Sequence, residues 1–176
     1  MTRSFPLLAG LVVVAAMIGG PADAQGILGS DGAACNAGQG PAIQANIIGL
    51  KDRTGELKLE LYPDNEQDFL KDDRDLLKQG KLFRRVRAPT PATGPTVMCM
   101  RVPRPGRYAL LFTHNRDGKN KFSFWTDGAG FPSNIKLGRS RPKVTQAEIS
   151  VGEGVTVTTI RAQYLRGLSG FGPVAG

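Results

Sequence analysis

The residues best suited to chemistry lie in one polar stretch, residues 114–121. It begins with His114, the single histidine of the chain, and Asp117 follows three positions later. An imidazole beside a carboxylate is a common arrangement for general-base catalysis. The sequence holds no Gly-x-Ser-x-Gly motif or further carboxylate constellation to complete such a site. We therefore expect no catalytic residue and a His114 ring bonded to backbone at a strand end; a small hydrolase that uses His114 is the alternative.

Oxygen-bearing side chains in the same stretch could bind a cation. Asn115, Asp117 and Asn120 lie on a glycine-containing turn, and Asp127 follows downstream. Calcium prefers several oxygen ligands on such a turn. Three basic residues lie among them and would repel a cation: Arg116, Lys119 and Lys121. We therefore expect no metal and no cofactor, and a polar turn shaped by its Asn, Asp and Gly residues.

An aromatic segment after this turn offers a second kind of binding surface, because exposed rings can stack on sugars or anchor a protein partner. Phe122 and Phe124 alternate as on a strand face, so we expect both to pack in the core. Trp125 remains a binding candidate, with Asn134 from the following loop. The predicted binding residues are thus His114, Asn115, Asp117, Asn120, Trp125, Asp127 and Asn134.

The charge of the chain is distributed unevenly. The formal net charge is +8, yet residues 25–75 hold 5 basic and 10 acidic residues, whereas residues 76–176 hold 17 basic and 4 acidic ones. This asymmetry favours an anionic or glycan component of the cell envelope, or another envelope protein, as the partner. No nucleic-acid-binding motif accompanies the charge. A solvated basic surface without a partner is the alternative.

The first 24 residues have the pattern of a secretory signal peptide. Arg3 precedes an apolar run over 5–18, and Ala22 and Ala24 place small residues where a signal peptidase cleaves. The run of about 14 residues is too short to cross roughly 30 Å of hydrocarbon, so we expect no transmembrane anchor. The mature chain, from residue 25, is predicted to be periplasmic or secreted.

The mature chain contains two cysteines, Cys35 and Cys99. Exported proteins with an even cysteine count usually pair them, so we expect a disulfide. The alternative is a reactive or metal-binding pair, but the chain has no Cys-x-x-Cys motif.

Alternating apolar residues predict short strands to position these groups. After an irregular segment over 25–41, strands are predicted over 42–50 and 56–62, joined as a β-hairpin by a turn at 51–55. In the second strand Leu57, Leu59 and Leu61 share one face. Apolar pairs seven residues apart predict one short amphipathic helix, or a helical loop, over 64–79.

The rest of the chain continues this pattern. Strands are predicted over 81–87, 96–102 and 107–114, and a last hairpin over 144–151 and 155–164, before a flexible tail over 165–176. About seven short strands with regular turns and one short helical crossing indicate an all-β fold, an antiparallel β-sandwich over 42–164. A β-barrel is the structural alternative.

Several motifs occur in the order found in one family. They are the turn and strand at 105–109, the loop at 114–121, the Gly-Phe-Pro-Ser-Asn element at 130–134, and Pro142-Lys143-Val144 with Ala147. In this order the chain resembles the exported bacterial proteins of the domain of unknown function 2141 family. The resemblance implies an immunoglobulin- or transthyretin-like sandwich and export, without a specific activity. Asn115 replaces an acidic residue of the family pattern, and Pro132 is an insertion.

These observations lead to a functional expectation but not to a ligand. We expect an exported, non-catalytic β-sandwich module that binds an envelope polymer or protein. The alternatives are the small hydrolase that uses His114 and a purely structural component of the envelope.

Overall fold

The computed structural model describes residues 26–119 and 121–174, so the predicted signal peptide over 1–24 lies outside the described residues. Within these ranges the chain forms ten strands: β1 (Ala42–Ile48), β2 (Glu56–Pro63), β3 (Arg84–Pro89), β4 (Thr96–Arg101), β5 (Gly106–Asn115), β6 (Gly128–Gly130), β7 (Glu148–Val151), β8 (Val155–Arg161), β9 (Gln163–Leu165) and β10 (Phe171–Pro173). It also forms two α-helices, α1 (Asp73–Lys78) and α2 (Val144–Ala147). Neither of these helices is long and apolar enough to span a membrane.

The strands form two sheets. The small sheet has the order β4-β1-β8, and the large one has the order β10-β9-β6-β5-β2-β3, with β7 pairing β5 beside β6. The predicted all-β sandwich class is therefore confirmed. The strands are more numerous than predicted, and one pair departs from antiparallel pairing, because β1 and β8 run parallel.

The space between the sheets holds the main hydrophobic core. The alternating leucines of β2 face it, and β1 and β4 supply side chains from the opposite sheet. Its largest fully buried apolar side chains are Phe112, Ile43, Leu57, Leu59, Leu61, Met98, Met100, Leu110 and Ile160. Burying one such side chain stabilises the fold by about 1.5–3 kcal/mol. The period-two pattern thus determines which face of each strand turns inward.

Neither predicted hairpin forms. β1 lies in the small sheet and β2 in the large one, so residues 49–55 cross between the sheets. In the same way β7 pairs with β5, whereas β8 pairs with β1. Two consecutive strands can bury their apolar faces side by side in one sheet, or they can lie in two sheets that face each other. Alternation therefore predicts the buried face of a strand but not its partner.

The helical regions differ from the prediction in extent. The helix expected over 64–79 is limited to α1, because Asp72 caps its start by accepting a hydrogen bond from the Arg74 N–H. Gly80, with φ of 65°, follows its end. The first half of the strand expected over 144–151 is α2, and only Glu148–Val151 is a strand.

A second apolar layer covers the outer face of the large sheet. Phe69 and Leu76 from the segment around α1, and Val144 from α2, pack on Tyr62 and Phe131. The phenyl rings of Phe69 and Phe131 meet edge to face with their centroids 5.8 Å apart. The large sheet therefore buries part of both faces, although its strands read as one-sided in the sequence.

The predicted disulfide between Cys35 and Cys99 is formed, with the two Cα atoms 6.0 Å apart. It ties the N-terminal segment to β4, where Leu28 also forms a bridge with Met98. Closing a loop between residues 64 positions apart restricts the unfolded chain. The chain-entropy argument makes that restriction worth about 4 kcal/mol.

The sandwich extends beyond the boundary predicted at residue 164. Instead of a flexible tail, residues 163–173 form β9, a 3₁₀ turn at Gly167–Ser169 and β10. Phe171 is 7% exposed, and its backbone bridges Gly138 at the edge of the sheet. The glycine-rich composition of this segment did not indicate a strand. β10 is stabilised by its position at the edge of the large sheet and not by a strong local pattern.

Gly128 provides a test of the close packing between β6 and β9. A Cβ atom at this position would lie 2.7 Å from Cζ of Tyr164, inside the ring's contact distance. We expect Gly128→Ala to lower the free energy of unfolding by about 1–3 kcal/mol, measured by urea denaturation. Gly152→Ala is the matched control, because a Cβ there has no neighbour within 4 Å. Equal stability of the two variants would contradict this packing.

Candidate functional site

His114 is fully buried on the inner face of β5. Its Nε2 lies 2.7 Å from the Thr54 carbonyl oxygen, and its Nδ1 lies 2.7 Å from the Tyr164 hydroxyl. A carbonyl oxygen can only accept, so Nε2 carries the proton of the neutral ring and donates it. Nδ1 then accepts from the Tyr164 hydroxyl, whose oxygen in turn accepts from the Lys51 N–H at 3.0 Å.

These contacts make His114 a structural residue of the core. Burial lowers its pKa below the ordinary value of 6.5, and burial raises the pKa of Tyr164 to about 12, so that the hydroxyl keeps its proton. The carboxylate nearest to the ring is that of Asp52, at 4.0 Å, rather than that of Asp117. With no exposed surface, His114 cannot meet a substrate in this conformation; the expectation that it bonds to backbone is confirmed.

The acidic residues of the 114–127 region organise the loop itself. Asp127 is 1% exposed and accepts hydrogen bonds from the N–H groups of Arg116 and Ser123. Asp117 accepts from the Lys119 N–H. Asn120 lies outside the described residues. Within the described ranges, no cluster of three or more His, Cys, Asp or Glu residues is placed to hold a metal ion.

Arg116 links this loop to the crossing between the sheets. Its guanidinium Nε lies 2.8 Å from an oxygen of Asp52 and its Nη1 lies 2.8 Å from the Thr126 carbonyl. The hydrogen bond from Arg116 is the main reason that the pKa of Asp52 lies well below its usual range. Arg116 and Asp52 thus form an ion pair with each other, and this pair positions the loop.

Asn134 and Trp125 lie apart from His114. Asn134, with φ of 55°, donates to the Thr159 carbonyl and accepts from the Arg161 N–H, so its side chain replaces a neighbouring strand at the edge of β8. Trp125 is 84% exposed at the tip of the turn after residue 121. The predicted binding residues therefore do not share one concave surface.

The structure instead forms a cleft on the outer face of the large sheet, with a volume of about 600 Å³. Strands β2, β5 and β6 provide the floor, the turn 121–124 and β10 provide one wall, and residues 137–142 provide another. Asn115 and Asp127 are the predicted binding residues that line it. The other polar or charged floor residues, Lys58, Glu60 and Thr113, were not predicted from the sequence.

Three phenylalanines form the aromatic wall of the cleft: Phe122, Phe124 and Phe171. The centroids of Phe122 and Phe171 are 5.9 Å apart, and those of Phe122 and Phe124 are 5.4 Å apart. The prediction that Phe122 and Phe124 pack in the core is wrong, since they are 38% and 66% exposed. Residues 122–123 have no regular structure and residues 124–126 form a turn, so alternation there does not select a sheet face.

The polar floor has one part that is internally compensated. Arg85 forms ion pairs with Glu60 at 2.5 Å and with Asp73 at 2.8 Å, and the Tyr62 hydroxyl donates to Glu60 at 2.9 Å. Glu60 is therefore held by two partners. The charged and polar groups at this end of the cleft therefore satisfy one another without a ligand.

The other part of the floor is only partly compensated. The Lys58 side chain is only 7% exposed, and its ammonium lies 3.7 Å from Glu56, too far for a hydrogen bond. Asn115 is 2% exposed, and its Oδ1 is buried without a hydrogen-bond partner. Leaving the buried Asn115 Oδ1 without a partner costs about 1–3 kcal/mol. Lys58 and Asn115 are thus two floor residues whose side chains are not fully hydrogen-bonded within the protein.

The sequence does contain a pattern at these floor residues, but that pattern predicts that their side chains are exposed to solvent. Lys58 and Glu60 alternate with the buried leucines of β2, which is the usual pattern of a strand with one wet face. Here both residues are less than one-tenth exposed. The covering segments come from residues far along the chain, so no local pattern could reveal the burial.

The buried neutral state of His114 predicts a pH dependence of stability. The unfolded chain takes up a proton near pH 6.5, whereas folded His114 resists it because its pKa is lowered. The unfolded state then binds more protons, so the free energy of unfolding falls as the pH is lowered through this range, by at most about 1.4 kcal/mol per pH unit.

We expect His114→Gln to remove this slope while it lowers stability at all pH values. Urea denaturation between about pH 7.5 and about pH 5.5 measures the slope; the carboxylates titrate mainly below this range. Retention of the wild-type slope in His114→Gln would contradict the assignment.

Comparison with known proteins gives one result. No curated protein and no solved structure matches the chain. Residues 45–159 match a family described as uncharacterized protein conserved in bacteria (DUF2141). The match covers more than half of the chain and confirms the resemblance seen in its motifs. The chain therefore belongs to the DUF2141 family of uncharacterized bacterial proteins.

Proposed function

We propose that this protein is an exported, non-catalytic β-sandwich module that binds a component of the bacterial cell envelope in the outer-face cleft. The observation that carries the proposal is the composition of the cleft. An exposed aromatic wall lies beside Lys58, whose ion pair with Glu56 spans 3.7 Å, and Asn115, whose buried Oδ1 has no hydrogen-bond partner. Ligand sites combine apolar walls and a few polar groups in this way.

Two observations support a periplasmic or secreted location. Residues 1–24 have the charge, apolar run and small-residue pattern of a secretory leader. The Cys35–Cys99 disulfide is of a kind that persists in oxidising compartments. An envelope component would then be the ligand that the protein meets.

Two further observations support binding without catalysis. His114, the residue that a small hydrolase would use, is enclosed in the core by Thr54 and Tyr164. The carboxylates of the cleft, Glu60 and Asp127, are each occupied by hydrogen bonds within the protein. A general base needs a free position within reach of the proton that it removes.

The excess of basic residues at the cleft favours an anionic partner. Lys121 and Arg139 line its rim, both exposed, and neither forms an ion pair with another described residue. Trp125 projects beside this rim and remains a predicted contact for an extended polymer or a protein surface.

Retention of the mature protein on separate envelope components tests the proposal. The panel consists of anionic phospholipid vesicles, lipopolysaccharide, peptidoglycan fragments and a glycan array. We expect binding to at least one class, weakened about fivefold or more by Phe124→Ala, because the substitution removes an exposed ring of the wall. Leu168→Ala is the matched control, since Leu168 is 86% exposed and lies outside the cleft.

Two results would contradict the proposal. One is the absence of binding to every class, which would favour a purely structural role. The other is binding that Phe124→Ala and Leu168→Ala affect equally, which would place the contact away from the cleft.

A further inference from the structure

The cleft also indicates the chemical class of its ligand, and this inference rests on the proposed function. The floor contains a charged donor and a neutral acceptor close together. Lys58 on β2 is paired in register with Thr113 on β5, and Asn115 is the next residue of β5 on that face. Diagonal neighbours of this kind lie about 7–8 Å apart, a span that one small polar group can bridge.

The two groups require complementary features of a ligand. The Lys58 ammonium can donate a hydrogen bond to an anionic acceptor, because its ion pair with Glu56 spans 3.7 Å, longer than a hydrogen bond, and the side chain is withdrawn from solvent. The Asn115 Oδ1 is an acceptor without a donor. A carboxylate alone would satisfy Lys58 but not Asn115. A head group with a negative charge and an adjacent hydroxyl or N–H satisfies both.

The remainder of the cleft requires an apolar body. Its walls are formed by the rings of Phe122, Phe124 and Phe171, together with Leu137 and Leu165. The wall is open at Phe124, so a chain longer than the cleft can leave it toward solvent. Apolar surface buried against these side chains contributes to binding in proportion to its area.

We propose that the cleft binds a single-chain amphipathic anion, with its hydrocarbon tail against the aromatic wall and its anionic group and adjacent donor held by Lys58 and Asn115. The two polar residues set the specificity for the head group. The aromatic wall supplies affinity for the tail without selecting its length.

Three probes separate these contributions by isothermal titration calorimetry on the mature protein, each below its micelle concentration. 3-Hydroxydodecanoate has the charge and the donor, dodecanoate lacks the hydroxyl, and 1,3-dodecanediol lacks the charge. We expect 3-hydroxydodecanoate to bind most tightly. Loss of the charge should weaken binding about tenfold or more and loss of the hydroxyl about fivefold, as for charged and neutral hydrogen bonds respectively.

Variants assign each difference to a residue. In Lys58→Met the difference between 3-hydroxydodecanoate and the diol should disappear, and in Asn115→Leu the difference between 3-hydroxydodecanoate and dodecanoate should disappear. Arg87→Met is the matched control, because Arg87 lies across from Lys58 and also pairs with Glu56 but does not line the cleft. Circular dichroism and urea midpoints verify that each variant is folded.

The outcomes distinguish this inference from the proposed function. Equal affinity of the acid and the diol for the wild-type protein would overturn the inference, as would an unchanged preference in Lys58→Met. If no probe binds while an envelope component still binds in a Phe124-dependent manner, the ligand class is wrong and the proposed function stands. If that component also fails to bind, both are wrong.

Discussion

The pairing of β2 with β5 is the contact on which the rest of this structure depends. The two strands run antiparallel through the centre of the large sheet, from Glu56 opposite Asn115 to Pro63 opposite Tyr108. Since side chains alternate between faces, this one register has two consequences. It places leucines and Phe112 in the core between the sheets, and it places Lys58, Thr113 and Asn115 together on the opposite face. A shift by one residue would exchange the core for the cleft floor.

The inner face is completed by polar contacts that connect distant parts of the chain. His114 joins the crossing at Thr54 to Tyr164 on β9, and the Tyr164 hydroxyl also receives the Lys51 N–H. Every polar atom of the ring is satisfied in one tautomer, so burial of the imidazole does not leave an unpaired group. The histidine that looks most like a catalytic residue thus serves to hold the crossing between the sheets against the end of β5.

The outer face follows a different principle. It is covered by short helices and turns rather than by a third sheet, and these segments enclose only part of it. Where Phe69, Leu76 and Val144 pack, the cover is tight and apolar. The part of the outer face that these segments leave uncovered is the cleft. There the aromatic wall lies beside Lys58 and Asn115. An incomplete second layer over a central sheet thus leaves a floor of hydrogen-bonded strands beside an aromatic wall.

The sequence by itself determined the class of fold, the buried face of the strand over 56–62, the disulfide and the membership of the family. These properties depend on local alternation or on residue type, which a single segment displays. Only the tertiary structure decided which strands are partners, that β10 joins the sheet, and that Phe122 and Phe124 form an exposed wall. It also decided that His114 is enclosed and that Lys58 is buried on a face that reads as solvent-exposed. Such properties depend on segments far apart in the chain, and alternation carries no information about what will cover a polar face.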